Sequence, residues 1–289
     1  MMRFRSSDWR TEIADVSHFV SEGSLIDKEA FLRGTSIYLV DRVVPMLPEH
    51  LSNELCSLQP EVDKLTFSCI MEISGEGAVI NYELKPSIIN SKRRFSYEEV
   101  QGIIDDQTST DPHAGVLREM RDFSLKLRRI REQMGSIDFE TPEVRFVLNE
   151  KGKPTEIIPI ERLQSHQLIE EFMLMANKTV ARHISVISPK GKPLPFIYRV
   201  HEKPDNDKIT TFENFLNALD FKIKIPRNIS PAQFQEIMNG VLGTKDDILI
   251  KEVALRTMMK AIYDIKNVGH FGLAFTPWKR KEKVPKSNR

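Results

Sequence analysis

Cysteine is scarce in this sequence, with two residues among 289. Cys56 and Cys69 lie in the apolar stretches ELCSL and LTFSCIMEI and are not spaced as a CxxC motif. We expect both to be reduced thiols in the core of a cytoplasmic protein. A disulfide between the two is the alternative.

Long apolar runs are also lacking. No run approaches the roughly 20 residues that span a bilayer. The first ten residues, MMRFRSSDWR, have neither the apolar core nor the cleavage site of a signal peptide. The sequence therefore predicts a cytoplasmic protein with no membrane partner.

A strong net charge is lacking as well, since the formal net charge is +1. The charge is distributed unevenly, because residues 276–289 contain six Lys or Arg residues and one Glu, a net charge of +5. Residues 1–275 therefore carry a net charge of −4. This balance excludes an overall basic field for nucleic acid, so a nucleic-acid site would have to be a local groove.

Apolar periodicity predicts a mixed α and β protein in one continuous domain. LTFSCIMEIS and AVINYELKPSII form one predicted hairpin, and EVRFVLNEKGKPTEIIPI forms a second. Helical spacing predicts helices over 117–134 and 162–184, with three more later in the chain. Asp27 is predicted to cap a short helix in DKEAFLRGTS, and Ser96 with Glu99 predicts a capping box.

Three close carboxylate pairs are candidate metal sites: Asp105–Asp106, Asp205 with Asp207, and Asp246–Asp247. They lie in predicted loops or at helix starts, where solvation and helix capping explain them. The loop DDQTSTDPH, with His113, could mimic a metal loop, but a polar connector is favoured. We assign no metal ligand from the residues alone.

Six stretches, taken together and in order, resemble one known family: IADVSHFV, LIDKEAFLRGTSIYLVDRVVPMLPEHLSNELCSLQP, RRFSYEEVQ, SHQLIEEFMLMAN, PFIYRVHEKPD and NVGHFGLA. They closely resemble the catalytic domain of the ribonuclease II/ribonuclease R family, and the R kind most. The resemblance implies an α+β fold in which a strongly curved, antiparallel-rich sheet is wrapped by helices. It also implies 3′→5′ hydrolysis of single-stranded RNA to nucleoside 5′-monophosphates, with Mg²⁺ as cofactor, single-stranded RNA as partner and no obligate protein partner.

The resemblance further predicts a chain that is truncated at both ends. Residues 1–12 are expected to be a remnant, 13–275 a partial RNB-type exoribonuclease domain, and 276–289 a basic disordered tail. In the family, the aspartates that hold Mg²⁺ precede IADVSH, and a TSPIRR segment with a phosphate-contacting arginine follows HFGLA. We therefore assign no catalytic residue, and expect the isolated chain to be inactive and prone to aggregation.

Two alternatives stay open at this point. One is a stand-alone, non-catalytic RNA-binding protein or regulator, in which the basic tail is a genuine arm that supplies affinity for the RNA backbone. The other is a non-functional remnant of an ordinary ribonuclease.

The resemblance implies four RNA-binding residues: Tyr38, Tyr97, Phe139 and Glu170. Tyr38 and Phe139 match aromatic residues that clamp RNA, Tyr97 matches another RNA-contacting tyrosine, and Glu170 matches a glutamate that hydrogen-bonds the nucleotide. The residues alone also allow packing roles for both tyrosines and an exposed Glu170 that pairs with His166. Phe139 lies between two acidic residues, a setting that suits a surface platform.

Five more residues are candidates for supporting this site: Asp15, His18, Arg33, His166 and Asn177. Asp15 and His18 lie at a strand-to-turn junction, where we favour a role in fixing the loop over contact with a ligand. Arg33 could contact phosphate, but pairing with Glu29 at i, i+4 is favoured.

The long predicted helix has two distinct faces. His166, Glu170, Leu174 and Asn177 share one face at helical spacing. The opposite, apolar face is predicted to contain Ile169, Phe172, Ala176 and Val180. The first face is therefore the part of this helix that is available for a ligand.

Overall fold

The computed structural model describes residues 8–137, 143–189, 192–241 and 243–277. Strands in these ranges pair antiparallel with their neighbours, so the predicted α+β class with antiparallel sheets is confirmed. The strands are β1 (Asp8–Ala14), β2 (Ile37–Tyr38), β3 (Val43–Val44), β4 (Asp63–Ile73), β5 (Val79–Asn90), β6 (Glu143–Leu148), β7 (Pro154–Ile160), β8 (Tyr198–Val200) and β9 (Ile262–Asp264). The helices are α1 (Val16–Phe19), α2 (Leu25–Arg33), α3 (Tyr97–Asp105), α4 (Ala114–Gln133), α5 (Gln164–Ile187), α6 (Asn206–Ala218), α7 (Pro231–Val241) and α8 (Asp247–Thr257).

The strands are divided among four sheets. The largest has the order β1–β4–β5 and contains the first predicted hairpin, in which Asp63 lies opposite Asn90. The other three are the two-stranded pairs β2–β3, β6–β7 and β8–β9. The β6–β7 pair is the second predicted hairpin, so both are confirmed.

Strand β4 buries a different face in each of its halves. In the first half the buried residues are the polar Lys64, Thr66 and Ser68, whereas apolar side chains are buried in residues 69–73. The buried polar groups are satisfied, since the Thr66 hydroxyl lies 2.8 Å from that of Ser87 and the Lys64 ammonium donates to a backbone carbonyl at 2.6 Å. Each polar group therefore recovers the hydrogen bond that burial removes.

The described residues divide into two compact units, and the first contains 8–124 and 143–180. Its core is built around Trp9, whose ring centroid lies 5.4 Å from that of Phe123 and 4.7 Å from that of Phe172. Buried side chains from β4, β5, α3, α4 and α5 surround these rings: Cys69, Met71, Ile73, Tyr82, Ile104, Leu117, Leu168 and Ala176. Apolar burial of this kind is the main stabilising contribution to the unit.

The second unit contains 125–137, 181–189, 192–241 and 243–277. Helices α6, α7 and α8 bury apolar side chains against one another, and Phe212 and Phe234 stack at 5.8 Å. A backbone hydrogen bond joins the segment after α4 to the 3₁₀ turn near residue 272, since the Ile137 N–H donates to the Gly272 carbonyl at 2.8 Å.

Local capping decides where two of the helices begin. The predicted capping box of α3 is confirmed, with Ser96 as the N-cap and Glu99 reciprocating. The predicted Asp27 cap of α2 is wrong, because the cap is Ser24, whose hydroxyl accepts the Asp27 N–H at 3.2 Å. Asp27 lies in the first turn and accepts the Gly23 N–H at 2.8 Å, so the N-cap of α2 lies three residues earlier than expected.

Helix α5 extends over Gln164–Ile187, slightly shifted from the predicted 162–184. Its predicted apolar face is partly confirmed, since Phe172 and Ala176 are buried. Ile169 is exposed, and Leu168 takes its place in the core. Val180 also packs against the core, so three of the four predicted residues lie on the apolar face.

Both cysteines of the chain are free thiols, as predicted, and the disulfide alternative is wrong. Burial raises the pKa of the Cys69 thiol to about 11.

Across the residues that the structure describes, no helix is long and apolar enough to cross a membrane. Phe139 and residues 278–289 of the predicted tail lie outside the described residues.

Candidate functional site

Helices α3 and α5 bring two of the predicted residues into direct contact. Tyr97 is the first residue of α3, and its ring stacks on the His166 imidazole with centroids 3.9 Å apart and planes 17° apart. A hydrogen bond of 3.1 Å from the Ser165 N–H to the Gln101 side-chain carbonyl fixes α5 against α3. Tyr97 is 43% exposed, so part of its ring faces solvent.

Glu170 forms an ion pair with Arg162. The expected alternative partner, His166, instead stacks on Tyr97 and accepts the Leu163 N–H at 3.2 Å through Nδ1. Arg162 lies two residues before α5, near the positive end of the helix dipole, which is unfavourable for a cation. The negative charge of the Glu170 carboxylate offsets this repulsion. The Glu170 carboxylate remains partly exposed, one helical turn after His166 on the same face of α5.

A second acidic group, Glu98, lies near the same rings. Hydrogen bonds from its own backbone N–H and from Ser96 lower the pKa of the Glu98 carboxyl, and the Arg145 charge acts in the same direction. Glu98 is therefore ionised at neutral pH. The face around Tyr97 thus presents aromatic rings together with charges of both signs.

Tyr38 lies on β2, the first strand of a two-stranded hairpin in which Tyr38 is opposite Val43. Its side chain is 78% exposed, so it is not a core aromatic. Arg33 forms the i, i+4 ion pair with Glu29 at 2.9 Å that the sequence favours, and also donates to the Pro45 carbonyl at 3.0 Å. Arg33 therefore fastens the end of α2 to the segment after the hairpin.

Asp15 is the N-cap of α1. Its carboxylate accepts the Ser17 hydroxyl at 2.6 Å and the His18 N–H at 3.2 Å. These bonds, that of Ser17 first, lower the pKa of the Asp15 carboxyl. The His18 ring is exposed and meets the Phe19 ring edge-on at 5.1 Å. The contacts of Asp15 are those of a residue that fixes a turn.

The structure thus brings together Tyr97, His166 and Glu170 from the predicted set. Asn177 lies further along α5 and is exposed. Among the described residues, no hydrogen bond, ion pair or ring contact joins Tyr38 to this group. Arg162 was not among the predicted site residues, because the predicted helix 162–184 made it the first helical residue, two turns before Glu170. The structure begins α5 at Gln164, which leaves Arg162 outside the helix.

The described carboxylates do not fit a Mg²⁺ site. No group of three or more His, Cys, Asp or Glu side chains among the described residues is arranged to hold a metal ion. Each close pair has other bonds: Asp106 accepts the Thr108 hydroxyl at 2.6 Å, Asp205 caps α6, and Asp247 pairs with Lys251 at 3.1 Å. These bonds account for the carboxylates as caps and ion-pair partners, and the buried Asp247 Oδ1 has no hydrogen-bond partner among the described residues.

The arrangement of antiparallel sheets and helices is shared with a known ribonuclease structure. The fold is similar to that of Mycoplasma genitalium RNase R in complex with ribose methylated single-stranded RNA, with a TM-score of 0.85 and 29% sequence identity. The match covers 93% of this chain and 42% of that chain. The chain therefore has the fold of an RNase R core.

The family follows from the sequence comparison. The RNB domain matches residues 10–278, and the chain belongs to the RNB family, as the resemblance predicted. Ribonuclease R 1 of Lactococcus lactis is 43% identical over 267 residues, which is 91% of this chain and 32% of that protein. Ribonuclease R of Thermotoga maritima is 42% identical over 266 residues, 91% of this chain and 37% of that protein. The chain spans about a third of the length of these relatives.

Proposed function

We propose that this chain holds single-stranded RNA for a cytoplasmic 3′→5′ exoribonuclease of the ribonuclease R kind, which releases nucleoside 5′-monophosphates. The observation that carries the proposal is the Tyr97–His166 stack beside the Glu170 carboxylate. Membership of the RNB family and the similarity to an RNase R bound to RNA support the class of ligand.

Each residue of the group has a role that its chemistry allows. The exposed part of the Tyr97 ring stacks on a nucleobase, and His166 holds that ring in place from behind. Glu170 accepts a hydrogen bond from a ribose 2′-hydroxyl, which DNA lacks. Tyr38 and Phe139 clamp the RNA further along its path, as the resemblance implies.

Hydrolysis of a phosphodiester needs a cation that stabilises charge on the phosphoryl oxygens and activates water, which Mg²⁺ supplies when it is bound. The described carboxylates do not offer its ligands, so no step is assigned to them. We therefore propose that the chain by itself binds RNA and does not hydrolyse it. This same observation favours the second candidate function, a non-catalytic RNA-binding protein.

A degradation assay tests the proposed binding of RNA and the proposed inactivity together. The purified chain is incubated with 5′-labelled single-stranded RNA and Mg²⁺, and the products are resolved on a denaturing gel. We expect intact RNA together with measurable binding by fluorescence anisotropy. A ladder that descends to a short product would overturn the proposed inactivity and show an exoribonuclease. Failure to bind RNA would overturn both functions.

Substitution of Tyr97 tests the site. Because stacking on one base contributes roughly 1–3 kcal/mol, Tyr97→Ala should raise the Kd for a single-stranded RNA roughly 5- to 150-fold. Tyr97→Phe keeps the ring and serves as the matched control, with a Kd close to that of the parent chain. Equal affinities of Tyr97→Ala and the parent chain would remove Tyr97 from the site.

A further inference from the structure

The small β8–β9 sheet in the second unit exposes an aromatic ring beside a cation. Arg199 and Tyr263 are cross-strand partners, and the guanidinium carbon lies 4.8 Å from the centre of the Tyr263 ring. Tyr263 is 72% exposed, whereas Val200, on the opposite face, is 2% exposed. Ile197 and Ile265 lie two residues from Arg199 and Tyr263 and are also exposed. One face of the sheet is therefore open to solvent.

The charge on this open face is uncompensated. Among the described residues, no carboxylate forms an ion pair with Arg199. Asp264, which follows Tyr263 in sequence, alternates to the other face and accepts the Lys266 N–H at 2.7 Å. Lys260 and Lys266 flank β9 and are both exposed. The face thus suits an anionic ligand.

We infer that the β8–β9 face, which we call the Tyr263 platform, binds single-stranded RNA by stacking a nucleobase on Tyr263 and pairing Arg199 with a phosphate. The inference rests on the proposed function for the class of ligand, but it adds a second contact that is separate from the Tyr97 group. A nucleotide can contact the tyrosine ring and the guanidinium at the same time. Every base has a π-face that can stack on the ring, and every phosphodiester linkage carries a negative charge. The guanidinium already positioned on the tyrosine ring offers its donors to phosphate oxygens in a fixed, planar arrangement.

The dimensions of the platform favour a nucleotide over a protein. Three residues on each of two strands give an area of about 10 Å by 5 Å. A stable protein interface covers about 800 Å² on each partner. An apolar protein surface would also bury the Arg199 charge without a counter-ion, which is costly.

The test measures the Kd of the full chain for a fluorescein-labelled 20-nucleotide oligo(U) by anisotropy. Tyr263→Ala should raise the Kd roughly 5- to 150-fold, whereas Tyr263→Phe should change it by less than about twofold, because the phenyl ring still stacks. Arg199→Ala should weaken binding and flatten its dependence on salt, since one phosphate contact is lost. Ile248→Ala removes an equally exposed apolar side chain elsewhere in the same unit and should leave the Kd unchanged.

Four outcomes decide the inference. Weakening by Tyr263→Ala but not by Tyr263→Phe supports it. Unchanged affinity of Tyr263→Ala, with Tyr97→Ala weakened, overturns the platform and leaves the proposed function intact. A chain that binds no RNA at all overturns both. If Tyr263→Ala abolishes self-association and leaves the RNA affinity unchanged, the face is a protein contact and the inference is wrong.

Discussion

At the scale of single residues, two histidines of the second unit hold the turn around the 3₁₀ segment Phe271–Leu273. His201 Nδ1 accepts the Gly272 N–H at 3.2 Å, and His270 Nδ1 accepts the Leu273 N–H at 3.3 Å. The two rings meet edge-on at 5.0 Å. Burial, followed by the neighbouring His201 and Arg199, lowers the pKa of His270 to about 4, and burial also lowers the pKa of His201.

These pKa values make the stability of the fold depend on pH. The ordinary pKa of histidine is 6.5, so between pH 6.5 and about 4 the unfolded chain binds a proton at His270 that the folded chain does not. The stabilising contribution is complete above pH 6.5 and is lost as the pH falls towards 4. Because His270 is only half-buried and solvent screens its charge, we expect a loss of about 1–2 kcal/mol.

This expectation is checked by urea unfolding. The free energy of unfolding is measured for the parent chain and for His270→Asn at a series of pH values from 7.5 to 4.5. The asparagine oxygen can still accept the Leu273 N–H, but it does not titrate in this range. As the pH falls, we expect the parent chain to lose about 1–2 kcal/mol more of its unfolding free energy than His270→Asn loses. A difference that stays constant with pH would contradict the assigned pKa.

At the scale of the element, Gly135 ends α4 with a positive φ of 95°. A Cβ at this position would lie 2.3 Å from the Ala232 backbone nitrogen, at the start of α7. Glycine is therefore required twice, once for the left-handed backbone conformation and once for the close approach of α7.

Gly135→Ala should lower the free energy of unfolding by about 2–4 kcal/mol, because the strained φ and the overlap with α7 both contribute. Gly152→Ala is the matched control, since Gly152 has a φ of 71° and no described atom within 4 Å of its Cβ position. The free energy of unfolding of this control variant should fall by only about 1 kcal/mol. Equal unfolding midpoints in urea for the two variants would show that α7 can move away at little cost.

Elements whose signals are local were the ones that the sequence predicted well. The capping box of Ser96 and Glu99 and the long β4–β5 hairpin depend on residues close in the chain, and both are confirmed. The N-cap of α2 was misplaced because Asp27 and Ser24 are both good caps, and only the backbone hydrogen bond distinguishes them. The ion pair of Glu170 with Arg162 was not predicted, since the predicted helix began at Arg162, whereas α5 begins at Gln164 and leaves Arg162 outside the helix, where it folds back on Glu170.

At the scale of the whole molecule, the family and the α+β class were predictable because six stretches in a fixed order jointly indicate them. The exposed surface was not predictable in the same way. Helix α2 exposes Leu25, Phe31 and Leu32, although helical spacing would have allowed it to bury one face. Which face a helix buries depends on what packs against it, and periodicity does not carry that information.

A groove of about 410 Å³ lies beside these side chains. Leu25, Ile26, Met46 and Leu47 line it, together with the Glu29–Arg33 ion pair. Phe31 is 86% exposed on the same helix, and the β2–β3 hairpin adds further exposed apolar residues. Exposed apolar surface of this kind promotes association of the chain with itself.

We therefore expect the isolated chain to aggregate as its concentration rises, and expect α2 to be responsible. The double substitution Phe31→Lys and Leu32→Glu adds one charge of each sign, so it should reduce light scattering without a change in net charge. Ile248→Glu replaces a similarly exposed apolar side chain in the second unit and should leave most of the scattering. Static light scattering over a concentration series distinguishes these cases. A parent chain that stays monomeric throughout, or an equal gain from Ile248→Glu, would show that the surface of α2 does not drive association.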